Sequence, residues 1–185
     1  MPRSNSLQTW IDNGYTLFAR EGLEGIQVER LAKILDLNKS GFYHYFGSRD
    51  VYLEQLMNHH FQFADPLSQD MRKIRQFDPD FFHTLLRYKT QVMVHMQLVR
   101  NRHHPSLERT FVKVNNVIDP AVVPSFSEFI GLPGQIELGR KYFELSRDMF
   151  YSRITEDKMN EEYLRGLLYE VRKVLQDAIQ HKSIE

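Results

Sequence analysis

The sequence predicts an all-α protein, with an N-terminal three-helix, helix-turn-helix unit followed by a helical bundle. Three observations carry this expectation. Apolar residues recur at helical spacing almost throughout the 185 residues. No stretch alternates apolar and polar residues for long enough to suggest a half-buried strand. Residues suited to start a helix, Asn38, Ser48 and Asn160, each stand just ahead of an apolar stripe.

Leu7, Trp10, Ile11, Leu17 and Phe18 define a first helix, with Ser4 or Ser6 as cap and Gly22 as its stop. Val28, Leu31, Ala32 and Leu35 define a second, short helix. Asn38 caps a third, and Leu37 and Phe42 flank its start at hydrophobic-staple spacing. A turn of about three residues between two short helices is a helix-turn-helix outline. Ser48 opens a fourth helix through Leu53, Leu56, Met57, His60 and Phe61, with Asp50 in the first turn. Pro66 and Asp78-Pro79 punctuate the stretch after it. One long helix from Phe81 to about Arg102, apolar on several sides, is expected at the centre of a bundle. His103-His104-Pro105 ends it and Ser106 caps the next, which Asp119-Pro120 and Val123-Pro124 are expected to break. Two long helices close the chain, Gln135 to Ile154 and Asn160 to Gln180, the second striped by Leu164, Leu167, Leu168, Val171, Leu175, Ala178 and Ile179. The expected domains are a helix-turn-helix head over 1–47 and a helical domain over 48–185.

Composition narrows the function. The chain has no cysteine, so thiol catalysis and Cys-ligated zinc are excluded. Its start, MPRSNSLQTW, lacks the apolar run of a signal peptide, and no window approaches a membrane span; the expectation is a cytoplasmic protein. Lys plus Arg and Asp plus Glu are 24 each, so no overall basic field draws in a polyanion. Between Asn38 and Arg49, however, there are two cations and no acid.

That stretch, NKSGFYHYFGSR, contains five consecutive rings. On a helical wheel Phe42 and Phe46 share a face, with Ser40, Gly41 and His44 opposite and Tyr43 and Tyr45 on the flanks. Two rings therefore enter the core, while polar tips remain for a polyanion, and Lys39 and Ser40 stand at the end from which recognition helices reach bases. The run TLFAREGLEGIQVERLAKILDLNKSGFYHYFGSRDVYLEQL resembles the DNA-binding domain of the TetR family of bacterial transcriptional regulators, over about Leu7 to His60. The aromatic cluster, the Ser-Arg-Asp start of the fourth helix and the preceding FAREG carry the resemblance together. It implies that Lys39, Ser40 and Gly41 approach bases, that Tyr43 and His44 touch phosphates and sugars, that Arg49 clamps a phosphate, and that Gln27 meets the backbone. It also implies that 48–185 is a ligand-binding and dimerisation domain, with a double-stranded DNA operator, an unknown small-molecule effector and a homodimer formed through about 135–154 and 160–180. Gly41 and Gln27 stand where the family often has Thr, and His44-Tyr45 reverses a common order.

Tyr88, Met93, His95, Met96, Phe111, Phe126 and Tyr142 are candidates to line an effector cavity between helices. Gly139 and Ser146, seven apart, are small enough to admit a partner helix. His59-His60 and His103-His104 are adjacent pairs rather than i, i+4 ligands, so no metal and no cofactor is expected. The chain has no glycine-rich phosphate loop, no G-x-S-x-G and no H-E-x-x-H, and the expectation is a regulator rather than an enzyme. The expected role is a repressor. The alternative is a helical ligand- or partner-binding module that has lost specific DNA binding.

Overall fold

The computed structural model describes residues 4–182, which are helical with no strand among them. The side chains of Ser4, Ser6, Ala178 and Ile179, expected as cap and stripe, lie outside the described residues. The helices are α1 Ser4–Gly25, α2 Val28–Leu35, α3 Lys39–Phe46, α4 Arg49–Phe61 and α5 Ala64–Met71; a π-helical turn Phe77–Phe81; then α6 Phe82–Arg87, α7 Lys89–Arg100, α8 Pro105–Phe129, α9 Ile136–Arg153 and α10 Glu161–Lys182. The chain forms two compact units, Met1–Phe63 with Thr90–Lys113, and Ala64–Lys89 with Val114–Glu185. Packing thus carries the first unit past residue 47 and recruits α7 and the start of α8 to it.

In the first unit Trp10, Phe42, Phe46 and Tyr52 form an aromatic core in which Trp10, Phe42 and Tyr52 are at most 1% exposed. The Phe42 ring lies 5.4 Å from Trp10 and 5.0 Å from Tyr52, and Phe46 lies 4.7 Å from Tyr52. The Tyr52 hydroxyl donates to the Trp10 carbonyl at 2.6 Å. It fills the space beside Gly14, where a Cβ would stand 1.6 Å from the hydroxyl oxygen. Gly22, expected as the stop of the first helix, interrupts α1 with φ 65°, and the chain then stays helical to Gly25.

Three boundaries differ from the sequence reading. The long helix expected from Phe81 to Arg102 is divided at Tyr88 (φ −101°, ψ 27°), whose N–H reaches both Thr84 and Leu85 carbonyls. Its hydroxyl donates to Asp70 Oδ2 at 3.1 Å, a tie that draws Tyr88 out of helical register. Ser106 does not cap α8: Pro105 is its first residue, where a missing N–H is harmless. The helix also continues through Pro120 and Pro124. Asn116, Pro120 and Pro124 are one turn apart and all exposed, so the carbonyls that lose a helical partner face water while Val122, Val123 and Phe126 stay buried.

The second unit is built around Phe77, Phe82, Phe126, Leu132, Phe143 and Leu164. Arg165 donates through Nε and Nη2 to Asp78 at 2.7–3.1 Å, and the Tyr169 hydroxyl donates to the same carboxylate at 3.0 Å. Arg147 holds the buried Asp119 at 2.7 Å. Burial raises the Asp119 carboxyl above its ordinary range, against the opposing pull of Arg147. Gly139 is not open to a partner helix, contrary to the sequence reading. A Cβ there would stand 1.8 Å from Ser127 Oγ, so the glycine permits α9 to close on α8 within the chain.

Candidate nucleic-acid interface

The turn between α2 and α3 is Asp36–Asn38. Asp36 takes a left-handed conformation (φ 51°, ψ 43°), which short polar side chains tolerate, and its N–H closes on the Ala32 and Lys33 carbonyls. Asn38 then caps α3, its Oδ1 accepting from Ser40 N at 2.9 Å. Ser48 caps α4 by accepting from Val51 N at 3.2 Å. These local contacts fix the direction of α3, and the burial of Phe42 and Phe46 fixes its rotation.

With those two rings inward, Lys39, Ser40, Tyr43 and His44 are exposed on α3. Tyr43 is 49% exposed, with its ring edge-on to Phe42 at 5.4 Å. Gly41 has nothing within 4 Å of the position of a Cβ, so no packing inside this chain explains a glycine there. In a helix interior glycine costs about 1 kcal/mol relative to alanine.

The remaining candidates have partners within the head. Arg49 donates through Nε to the Ile26 carbonyl and through Nη2 to the Leu23 carbonyl, both at 2.7 Å, and so brackets the start of α4 to the end of α1. Gln27 makes no side-chain cap for α2; its amide donates to the Glu24 carbonyl at 3.1 Å. Lys39 Nζ lies 3.2 Å from Glu29 Oε1, across the turn. Glu29 ionises below the ordinary glutamate range, mainly through a hydrogen bond from its own backbone N–H and then through Lys39. Arg30 is held in turn by Glu21.

The seven effector candidates are not brought together in one unit. Met93, His95, Met96 and Phe111 are buried in the first, where His95 stacks on Phe111 with ring centroids 5.1 Å apart. Tyr88, Phe126 and Tyr142 belong to the second. A small apolar cavity there is lined by other residues, among them Phe81, Phe82, Leu85, Phe150, Leu164 and Leu168. It has room for little more than one water, about 30 Å³. Among the described residues no group of three or more His, Cys, Asp or Glu is placed to hold a metal ion, and no helix is long and apolar enough to cross a membrane.

Sequence reasoning missed a buried polar chain in the first unit. The Tyr15 hydroxyl meets His60 Nδ1 at 2.8 Å, and His60 Nε2 meets His95 Nδ1 at 3.3 Å. The signal was present: His60 falls on the apolar stripe of α4 with Leu53, Leu56 and Met57.

Residues 11–56 match the model of a family described as bacterial regulatory proteins, tetR family. Neither the curated proteins nor the solved structures give a match to the chain. The matched stretch runs from α1 into α4 and includes the capped turn and most of the aromatic core. Residues 11–56 are thus a TetR-family helix-turn-helix domain.

Proposed function

We propose that the protein is a ligand-responsive repressor that binds a pseudo-palindromic operator as a homodimer. The observation that carries this reading is the single solvent-facing side of α3, where Lys39, Ser40, Gly41, Tyr43 and His44 stand opposite the buried Phe42 and Phe46. Lys39 and Ser40 would approach base edges from the N-terminal end of α3, as recognition helices do. Gly41 would let the backbone come close to the groove. Tyr43 and His44 would donate to phosphate and sugar oxygens, positioning the head without reading sequence. Gln27 would meet the DNA backbone, and Arg49 would add a phosphate contact while its other nitrogens brace α1.

Dimerisation through α9 and α10 is supported by their exposed apolar side chains. Leu145 is 67% and Val174 63% exposed, and both line a shallow groove with Met149 and Leu175. Apolar side chains so placed favour an interface. An effector would act by favouring one spacing of the two heads, and only to the extent that it binds one arrangement more tightly than the other.

The test is fluorescence anisotropy on DNA flanking the protein's own gene, against a scrambled duplex, with Tyr43→Phe and Lys39→Ala alongside. Selective binding in the range of about 10⁻⁸–10⁻¹¹ M is expected. Tyr43→Phe should weaken it by about 1 kcal/mol, the loss of one hydrogen bond. Equal, weak binding to both duplexes, with no enrichment in a genome-wide selection of bound fragments, would instead favour a module whose head no longer reads DNA.

A further inference from the structure

Lys39 is the first residue of α3, and Glu29 is the second residue of α2. Their side chains meet across the turn at 3.2 Å while both remain largely exposed, 52% for Lys39 and 68% for Glu29. The two ends of this pair are not equally free. The Glu29 carboxylate stands in the first turn of α2, where the helix dipole favours an anion. Lys39 reaches it with a flexible four-carbon stem. When the pair opens, it is therefore Lys39 that swings away and Glu29 that stays.

The same pattern runs through the head. Arg30 is taken by Glu21 and Arg49 by two backbone carbonyls, so these cations of the head are already engaged by the protein itself. Residues 1–60 contain six Lys/Arg and seven Asp/Glu, and no surplus of positive charge compensates.

We propose that Glu29 is an internal competitor for Lys39: it stands in for a DNA oxygen in the free protein, must release Lys39 when the head docks, and so sets the absolute affinity for DNA. This rests on the DNA-binding reading of α3. The cost of opening the pair is the same whichever sequence is bound. Glu29 therefore weakens binding to all DNA by one factor and leaves the discrimination between sequences unchanged. Glu29 is a positioning residue in this scheme, acting through Lys39 rather than on the DNA.

The experiment uses the full chain and two probes, a 30-base-pair duplex of random sequence and the best duplex recovered by selection with the wild-type protein. Binding is measured by anisotropy across a salt series for wild type, Glu29→Gln, Lys39→Ala and the double variant. Exposed ion pairs set the size of the effect. Glu29→Gln should tighten binding to both probes by the same factor, about two- to fivefold. It should also steepen the slope of log affinity against log salt by roughly one per head, because the Lys39 charge brought to the DNA is no longer offset by a neighbouring carboxylate. In the Lys39→Ala background the gain should largely vanish. A gain that persists undiminished there would show that Glu29 acts as bulk charge and overturn the proposal, as would an unchanged affinity. A gain confined to one probe would overturn the claim that discrimination is untouched. Loss of all DNA binding by folded wild type at low salt would instead remove the DNA-binding reading itself, an outcome distinct from the others.

Discussion

His60 has no exposed surface, yet both of its ring nitrogens have partners. A neutral ring satisfies the chain: the Tyr15 hydroxyl donates to Nδ1, and Nε2–H donates to His95 Nδ1. Burial holds the His60 pKa well below 6.5, and charge on His95 or His59 would lower it further. Burial likewise pushes the Tyr15 hydroxyl far above its ordinary value, so it stays protonated. A depressed folded-state pKa means that the unfolded chain takes up the proton first as pH falls. The His60 contribution is therefore complete above about pH 6.5 and is lost as pH drops toward the folded-state value, with a slope of up to about 1.4 kcal/mol per pH unit. Urea midpoints from pH 7.5 to 5.5 should fall for the wild type and fall less for His60→Gln, which has no such titration. Parallel curves would mean that another group titrates. At this scale the sequence is legible where the cause is angular: 100° per residue separates Phe42 and Phe46 from Tyr43 and His44. It is silent where a partner lies far along the chain, as with Lys39 and Glu29, or with Arg49 and the carbonyl 26 residues before it.

Between elements, the closest constraint in the head is the crossing of α1 and α4 at Gly14 and Tyr52. A methyl at Gly14 would meet the Tyr52 hydroxyl oxygen at 1.6 Å and the ring carbon bearing it at 2.7 Å. Gly14→Ala should destabilise the protein by about 1–3 kcal/mol, the usual penalty of overpacking, despite alanine's better helix propensity. Tyr52→Phe removes the oxygen and also loses the bond to the Trp10 carbonyl, so alone it should cost about 1 kcal/mol. Combined, the two should cost less than their sum, because the worst clash has gone. Additive losses in denaturant melts would mean that α1 and α4 separate rather than clash. The glycine's purpose could not be read from sequence, since nothing local distinguishes it from an ordinary helix-weakening residue. The caps at Asn38, Ser48 and Asn160 were legible because each closes on a backbone N–H two or three residues away. The continuity of α8 was not: two prolines read as breaks unless it is known that their face looks to water.

Across the whole molecule, charge decides how the proposed repressor must find and hold DNA. With 24 cations against 24 acids there is no net field to concentrate it on a polyanion. The head adds none, since Arg30 and Lys39 are each matched by a carboxylate. Affinity in the proposed dimer must then come from a few placed contacts and from its two heads. Each phosphate neutralised on duplex DNA contributes about −0.9 to the slope of log affinity against log salt. In that dimer the charges of Lys39 and Arg49 brought to the DNA by each head, with neutral donors from Tyr43 and Ser40, would release fewer than about six counterions and give a slope shallower than about −5. A salt titration of operator binding checks this directly. A slope near −10 would require cations beyond those of the α3 face, and would move DNA contacts onto parts of the chain outside the head. A shallow slope would also make association slow for a regulator, nearer the unsteered ~10⁵–10⁷ M⁻¹s⁻¹ than the steered limit. The on-rate, measured at two salt concentrations, should therefore change little while the off-rate carries most of the loss in affinity.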